Sequence, residues 1–221
     1  MVKVGVVLCG CGRFDGSEVH ESVLTLLHLA RGGAEWVGLA PDTAQWAVCE
    51  HFGGEVQAGE DRNQLQEAAR IARGEVAPLA QVSAADLDAL ILPGGSGAAR
   101  NLCDFAERGG DGAVLPELAT LLRSLHAARK PIGAICIAPA ILALALGPHR
   151  PRLTLGPSSS GPALEAARTG AEMVDCPVDG VVVDEAQRLV STPAYLLGPG
   201  IAEVDAGIGK LVAQVLAWCR R

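Results

Sequence analysis

Short runs of consecutive apolar, mostly β-branched residues alternate along this chain with longer stretches in which apolar positions recur every three or four residues. The runs Val4 to Leu8, Trp36 to Leu39, Ala89 to Leu92, Ile132 to Ile135, Val181 to Val183 and Leu189 to Ser191 predict strands. Several are apolar at successive positions, the pattern of strands covered by helices on both faces. Between them, Glu18 to Ala30, Asn63 to Arg73, Leu115 to Arg129, Pro139 to Leu146, Leu164 to Thr169 and Ile208 to Arg220 carry helical periodicity. The alternation predicts an α/β fold with a doubly wound, mostly parallel sheet and helices on both faces. No Pro/Ser/Gly-rich linker divides the chain, so one domain over residues 1–221 is expected.

In such a sheet, ligands bind outside the carboxyl ends of the strands, so the loops that follow strands matter most. Three of these are rich in glycine or proline: Gly10 to Ser17, Pro93 to Gly97 and Cys136 to Pro139. On the helix that follows the first loop, Val19, Val23, Leu26, Leu27 and Ala30 form an apolar stripe expected to face the core. Glu18 and Glu21 fall away from that stripe, which by itself suggests a solvated face.

Composition narrows the function. The chain is 49% hydrophobic and 19% charged, ample for a core covered on both sides. A net charge of −7 with 3% aromatics lacks the footprint of a nucleic-acid binder. The longest apolar stretch, Ile135 to Leu146, is broken by Pro139 and falls short of the roughly 18 residues a membrane span needs. The N-terminus has no export signal pattern, so a cytoplasmic protein without membrane partners is expected. Seven cysteines, an odd number without C-x-x-C or Cys/His zinc spacing, suggest free thiols in a reducing compartment and no metal site. Arginine outnumbers lysine 15 to 3, which points to a GC-rich bacterial genome and to no site.

The most informative stretch is Gly133-Ala134-Ile135-Cys136-Ile137-Ala138-Pro139-Ala140. An apolar strand ends at Cys136, a helix begins almost at once, and Ala134 and Ala138 keep the flanks small. That is the steric requirement of a nucleophile elbow. The helix N-terminus beneath the sulfur is expected to favour thiolate and lower its pKa. Spacing alone leaves open a packed core cysteine.

Cys136 within Ile-Cys-Ile-Ala-Pro-Ala, with Leu92-Pro93-Gly94-Gly95, resembles the PfpI/deglycase branch of the class I glutamine-amidotransferase-like superfamily. Asp15-Gly16-Ser17-Glu18-Val19-His20-Glu21, Ala40-Pro41-Asp42, Thr192-Pro193-Ala194-Tyr195 and Gly207-Ile208-Gly209-Lys210 resemble the ElbB subfamily, the isoprenoid biosynthesis glyoxalases. The resemblance spans nearly the whole chain. It implies a flavodoxin-like fold, a homodimer, and a catalytic Cys136 assisted by an acid from the first helix. By motif position that acid is Glu21, with Glu18 as second choice. A carboxyl beside a thiolate should have a raised pKa and could stay protonated, donating to the sulfur. The backbone N–H groups of Gly95 and Ile137, at turns where Gly94 and Gly95 open the cleft, are candidates to hold an oxyanion. His20, beside Glu21, is a candidate proton carrier, with plain surface histidine as the alternative.

Residues that are missing argue against two chemistries. Similar PfpI-type peptidases place a histidine after the cysteine, where this chain has Ile137; class I amidotransferases need a downstream His-x-Glu, whereas the last histidine here is His149. A thiolate and one carboxyl can still add to an aldehyde, move a proton between adjacent carbons and hydrolyse the resulting thioester. The resemblance thus implies conversion of a small dicarbonyl, glyoxal or methylglyoxal, to glycolate or lactate without a cofactor. Alternatives are removal of early glycation adducts from proteins, and a redox sensor or regulatory protein that uses the same cysteine. The chain departs from the subfamily at Ser96, where an aromatic is common, and at Pro157, where an acidic residue is common.

Overall fold

The computed structural model describes residues 1–198 and 200–220. In chain order it contains β1 (Lys3–Val7), α1 (Val19–Arg31), β2 (Glu35–Ala40), α2 (Gln64–Ala72), β3 (Val76–Pro78), β4 (Ala89–Leu92), α3 (Ala98–Asn101), α4 (Phe105–Arg108) and α5 (Pro116–Ala127). These are followed by β5 (Ile132–Ile135), α6 (Pro139–Leu146), β6 (Arg152–Leu153), α7 (Gly161–Ala167), β7 (Glu172–Met173), β8 (Val182–Asp184), β9 (Leu189–Thr192) and α8 (Ile201–Cys219). The main sheet has the order β3-β2-β1-β4-β5-β9-β8 and is parallel except for β8, which pairs antiparallel to β9. It is the mostly parallel, doubly wound sheet expected from the alternation, and the flavodoxin-like α/β fold that the family resemblance implies.

Side chains along the central strands alternate between two cores, as the two-residue period requires. Leu90, Leu92, Ile132 and Ala134 pack with Leu118, Leu122 and Ile141 from α5 and α6. Ala89, Ile91 and Ile135 pack on the other side with Leu29, Ile208, Leu211 and Val215 from α1 and α8. Both faces are thus covered, which is why these strands are apolar at every position. The chain runs outward from β1 to β2 and β3, then returns to β4 on the other side of β1. This reversal opens a crevice at the carboxyl ends of β1 and β4, and β5 lies next to it.

Some elements differ from expectation. Helix α8 begins at Ile201, about two turns ahead of the stretch with clear periodicity. Strand β3 ends on Pro78 at the sheet edge, where a missing N–H costs no ladder bond. The largest difference is α1, whose apolar stripe is not the buried side: Val19, Val23 and Leu27 are exposed, while Glu21, Ser22, Thr25 and Leu29 are buried. The polar face can be buried because its hydroxyls are satisfied within the helix. Ser22 Oγ donates to Glu18 O at 2.6 Å and Thr25 Oγ1 to Glu21 O at 2.7 Å.

Candidate active site

The elbow is built from β5, Cys136 and α6. Pro139 at the first helical position needs no N–H partner and starts α6 three residues after the thiol. The intervening turn holds Cys136 at φ 60°, a left-handed conformation that costs a non-glycine residue about 1–2 kcal/mol. A hydrogen bond from Cys136 N–H to Thr192 O, 2.9 Å, helps to hold it. The side chain is buried, and the backbone N–H groups of Gly95 and Ile137 both point at its sulfur.

Glu21 comes to the same point from α1. Its side chain is fully buried, its Oε2 accepts from Gly94 N–H at 2.9 Å and its Oε1 from Tyr195 N–H at 3.4 Å, and it faces the Cys136 thiol. The start of α1 is clamped to the turn after β4: Glu18 N–H donates to Gly94 O at 2.9 Å, and Glu18 Oε2 caps the helix by accepting from Glu21 N–H at 2.7 Å. The clamp aims the first turn of α1 into the crevice. Position 94 must be glycine, because a Cβ there would lie 2.6 Å from Cys136 Cβ, 2.9 Å from Glu21 Oε2 and 3.0 Å from Ile135 O. Gly95, at φ 103°, turns the chain back against Gly16 and Glu18.

Burial sets the electrostatics. Loss of solvent, reinforced by the negative charge of Glu18, pushes the Glu21 carboxyl from 4.5 to about 7, against hydrogen bonds from Gly94, Cys136 and Tyr195 that favour its charged form. Cys136 moves opposite to the expected direction. Burial, the charge of Glu21 and the hydrogen bond to Glu21 hold its thiol well above the ordinary range, outweighing the two N–H groups of Gly95 and Ile137. The helix N-terminus acts in the expected sense and is too weak to win. At neutral pH the proton therefore sits on sulfur and is shared with a carboxyl poised to take it.

Cys136 opens onto a cleft of about 670 Å³. With Cys136, its lining includes Gly95, Ser96, Ile137, Phe105, Arg100 and Arg168. Both arginines are ion-paired, Arg100 with Glu107 and Arg168 with Asp111 and Glu165.

The chain matches the DJ-1/PfpI family over residues 14–194. It belongs to that family. Its relatives include "ES1 protein homolog, mitochondrial" of Rattus norvegicus, 41% identical over 97% of this chain and 83% of that protein. Another is the human "Glutamine amidotransferase-like class 1 domain-containing protein 3, mitochondrial", 41% identical over 97% and 82%. Among solved structures, an isoprenoid biosynthesis protein with an amidotransferase-like domain from Ehrlichia chaffeensis superposes with a TM-score of 0.92 at 35% identity, each chain covered completely. Drosophila melanogaster DJ-1beta, 24% identical, shares the fold with a TM-score of 0.58 over 99% of this chain and 96% of that one. The mitochondrial names of the rat and human relatives do not fit a cytoplasmic placement. Among the described residues, no helix is long and apolar enough to cross a membrane, and no group of three or more His, Cys, Asp or Glu could hold a metal ion. All seven cysteines are free thiols.

The five histidines of this DJ-1/PfpI member are engaged away from the thiol. His28 pairs with Asp205, His51 bonds to Cys49 O, and the His126 and His149 rings meet at a 48° tilt with centroids 4.6 Å apart. His20 Nδ1 bonds to Tyr195 Oη at 2.8 Å, so its ring is turned to Tyr195 rather than to the Cys136 thiol. Glu18 acts as helix cap and neighbouring charge, not as the thiol's partner. Sequence reasoning gave no role to Thr192 or Tyr195, although their motif was visible. Their backbone groups hold Cys136 and Glu21 respectively.

Proposed function

We propose that the protein converts small 2-oxoaldehydes to 2-hydroxy acids without glutathione or metal, with Cys136 as nucleophile and Glu21 as the proton carrier. The supporting observation is the buried Cys136–Glu21 pair, whose carboxyl titrates at about 7. A base with a pKa near the working pH is best placed both to take and to return a proton. Glu21 removes the thiol proton as sulfur bonds to the aldehyde carbon, and the carbonyl electron pair becomes an alkoxide that takes the proton back, giving a hemithioacetal. The Gly95 and Ile137 N–H groups, released from the sulfur as its charge is spent, face the developing oxyanion. Glu21 then moves the proton of the carbon bound to sulfur to the neighbouring carbon through an enediol, leaving a thioester of the hydroxy acid. Water hydrolyses the thioester and restores the thiol. Glyoxal and one water give glycolate, and methylglyoxal gives lactate. This is the chemistry of an ElbB-type glyoxalase, and the DJ-1/PfpI superfamily includes glyoxalases and deglycases.

A second reading, removal of early glycation adducts, draws support from the cleft, because about 670 Å³ is the size of a site for a drug-sized ligand and far exceeds a four-heavy-atom dicarbonyl. The test is to supply purified protein with glyoxal, methylglyoxal or a glycated peptide and follow the products by NMR. Hydroxy acid formation that is lost in Cys136→Ala and Glu21→Gln, with both variants folded, supports the enzyme. Absence of dicarbonyl turnover, with selective oxidation of Cys136 at low peroxide, would overturn it in favour of a sensor.

A further inference from the structure

We propose that His20 and Tyr195 form a latch that holds the Thr192–Tyr195 segment over the reacting pair, making both of them positioning residues for Cys136 and Glu21. The inference rests on the reading that Cys136 and Glu21 react together. One short segment serves both partners: Thr192 O receives the Cys136 N–H at 2.9 Å, and Tyr195 N–H reaches Glu21 Oε1 at 3.4 Å. The segment does not take this path by local preference, since Ala194 between them is buried at φ 41°, a region an alanine adopts only at a cost. Thr192 Oγ1 ties the near end to Gly180 O at 2.7 Å. The far end is tied by the Tyr195 hydroxyl on His20 Nδ1 at 2.8 Å, with the two rings 5.8 Å apart. His20 precedes Glu21 on α1, so the latch joins the helix that delivers the carboxyl to the segment that holds the thiol.

The charged and titratable groups facing Glu21 are Glu18 on its own helix, the Cys136 thiol from the elbow and Tyr195 from the latched segment; the turn after β4 presents the Gly94 N–H. Of these, only the Tyr195 N–H depends on the latch. Releasing it removes a hydrogen bond that favours the carboxylate, which should raise the Glu21 midpoint above its value near 7.

The test compares Tyr195→Phe, which removes only a hydroxyl, His20→Ala, the double variant, and His20→Asn, whose amide reaches the Nδ1 position. Two readouts are used: dicarbonyl turnover against pH, and the pH dependence of Cys136 alkylation by iodoacetamide, read on its own peptide by mass spectrometry. Each single variant should lower turnover about fivefold to tenfold, the weight of one hydrogen bond, and move the Glu21-governed midpoint up by about half a unit. The double variant should be no worse than either single one, and His20→Asn should recover most of the loss. Single variants with wild-type profiles, or losses that multiply in the double variant, would overturn the latch. If the wild-type protein turns over no dicarbonyl, the functional reading fails, and the alkylation midpoints still decide the latch.

Discussion

Replacing Glu21 by glutamine should stabilise the fold, increasingly so as the pH rises from 4.5 to about 7. The folded protein holds the Glu21 proton more tightly than the unfolded chain does, with a midpoint at about 7 against 4.5. That upward shift is worth about 3 kcal/mol at 1.36 kcal/mol per unit. At a pH below 4.5 the carboxyl is neutral in both states, and its burial carries no charge penalty. From 4.5 up to about 7 the unfolded chain ionises while the folded protein keeps its proton, so the folded state progressively loses stability, and the loss levels off once the buried carboxyl itself ionises at about 7. Glutamine is never charged, so the stability gap between variant and wild type should widen by about 2–3 kcal/mol between about pH 5 and about pH 8. Urea unfolding at the two pH values measures it. Any packing cost of the amide is the same at both, and Cys136, held well above its ordinary range, adds nothing to the slope in this window. A gap that stays constant, or that is larger at the lower pH, would refute burial as the source of the raised carboxyl. The same variant should lose about 10²–10⁴ in turnover, the usual contribution of a positioned proton carrier.

The thiol responds to the same substitution in the other direction. Without the Glu21 charge and hydrogen bond, the Cys136 pKa should fall, so Glu21→Gln should be alkylated faster than wild type at neutral pH even as its turnover collapses. Glu18→Gln keeps an acceptor for the helix cap and removes a charge that raises Glu21, so the acid limb of the pH–rate profile should move below about 7, with stability little changed. Gly94→Ala puts a methyl group against Cys136 Cβ and the fixed carbonyl of Ile135; it should cost about 1–3 kcal/mol in urea unfolding and disable turnover.

The sheet was legible because burial on both faces leaves a direct mark. Ala89 to Leu92 and Ile132 to Ile135 read as unbroken apolar runs because each alternate residue meets a different core. Cys136 was legible for a local reason, since a turn that forces φ to 60° needs small neighbours on both sides. Glu21 was legible only through its motif. A helical wheel weighs side chains by hydrophobicity and put Val19, Val23 and Leu27 inside, whereas the helix buries a carboxylate and two hydroxyls. The hydroxyls are satisfied within the helix, and the carboxylate by N–H groups from Gly94 and Tyr195, 73 and 174 positions away, which no local pattern contains. The direction of the thiol's shift was hidden for the same reason. The helix end beneath Cys136 is local and visible, while burial and the facing carboxylate are tertiary and stronger.

These two failures of local reasoning have one cause, and it bears on the chemistry. Had α1 turned its apolar stripe inward, Glu21 would lie in water near its ordinary pKa, too acidic to hold a proton at neutral pH. Burying the polar face costs stability, and it brings the carboxyl to about 7, where accepting and donating are nearly balanced. The raised thiol is the counterpart: a sulfur that keeps its proton until a carbonyl arrives is shielded from casual oxidation and alkylation. A site of this kind should react slowly with general thiol reagents and quickly with a substrate that fits the cleft. The ratio of those two rates, compared between wild type and Glu21→Gln, measures how much of the nucleophile is made by the carboxyl on demand. Equal ratios in the two proteins would mean that Glu21 is a structural neighbour of the thiol and not its base.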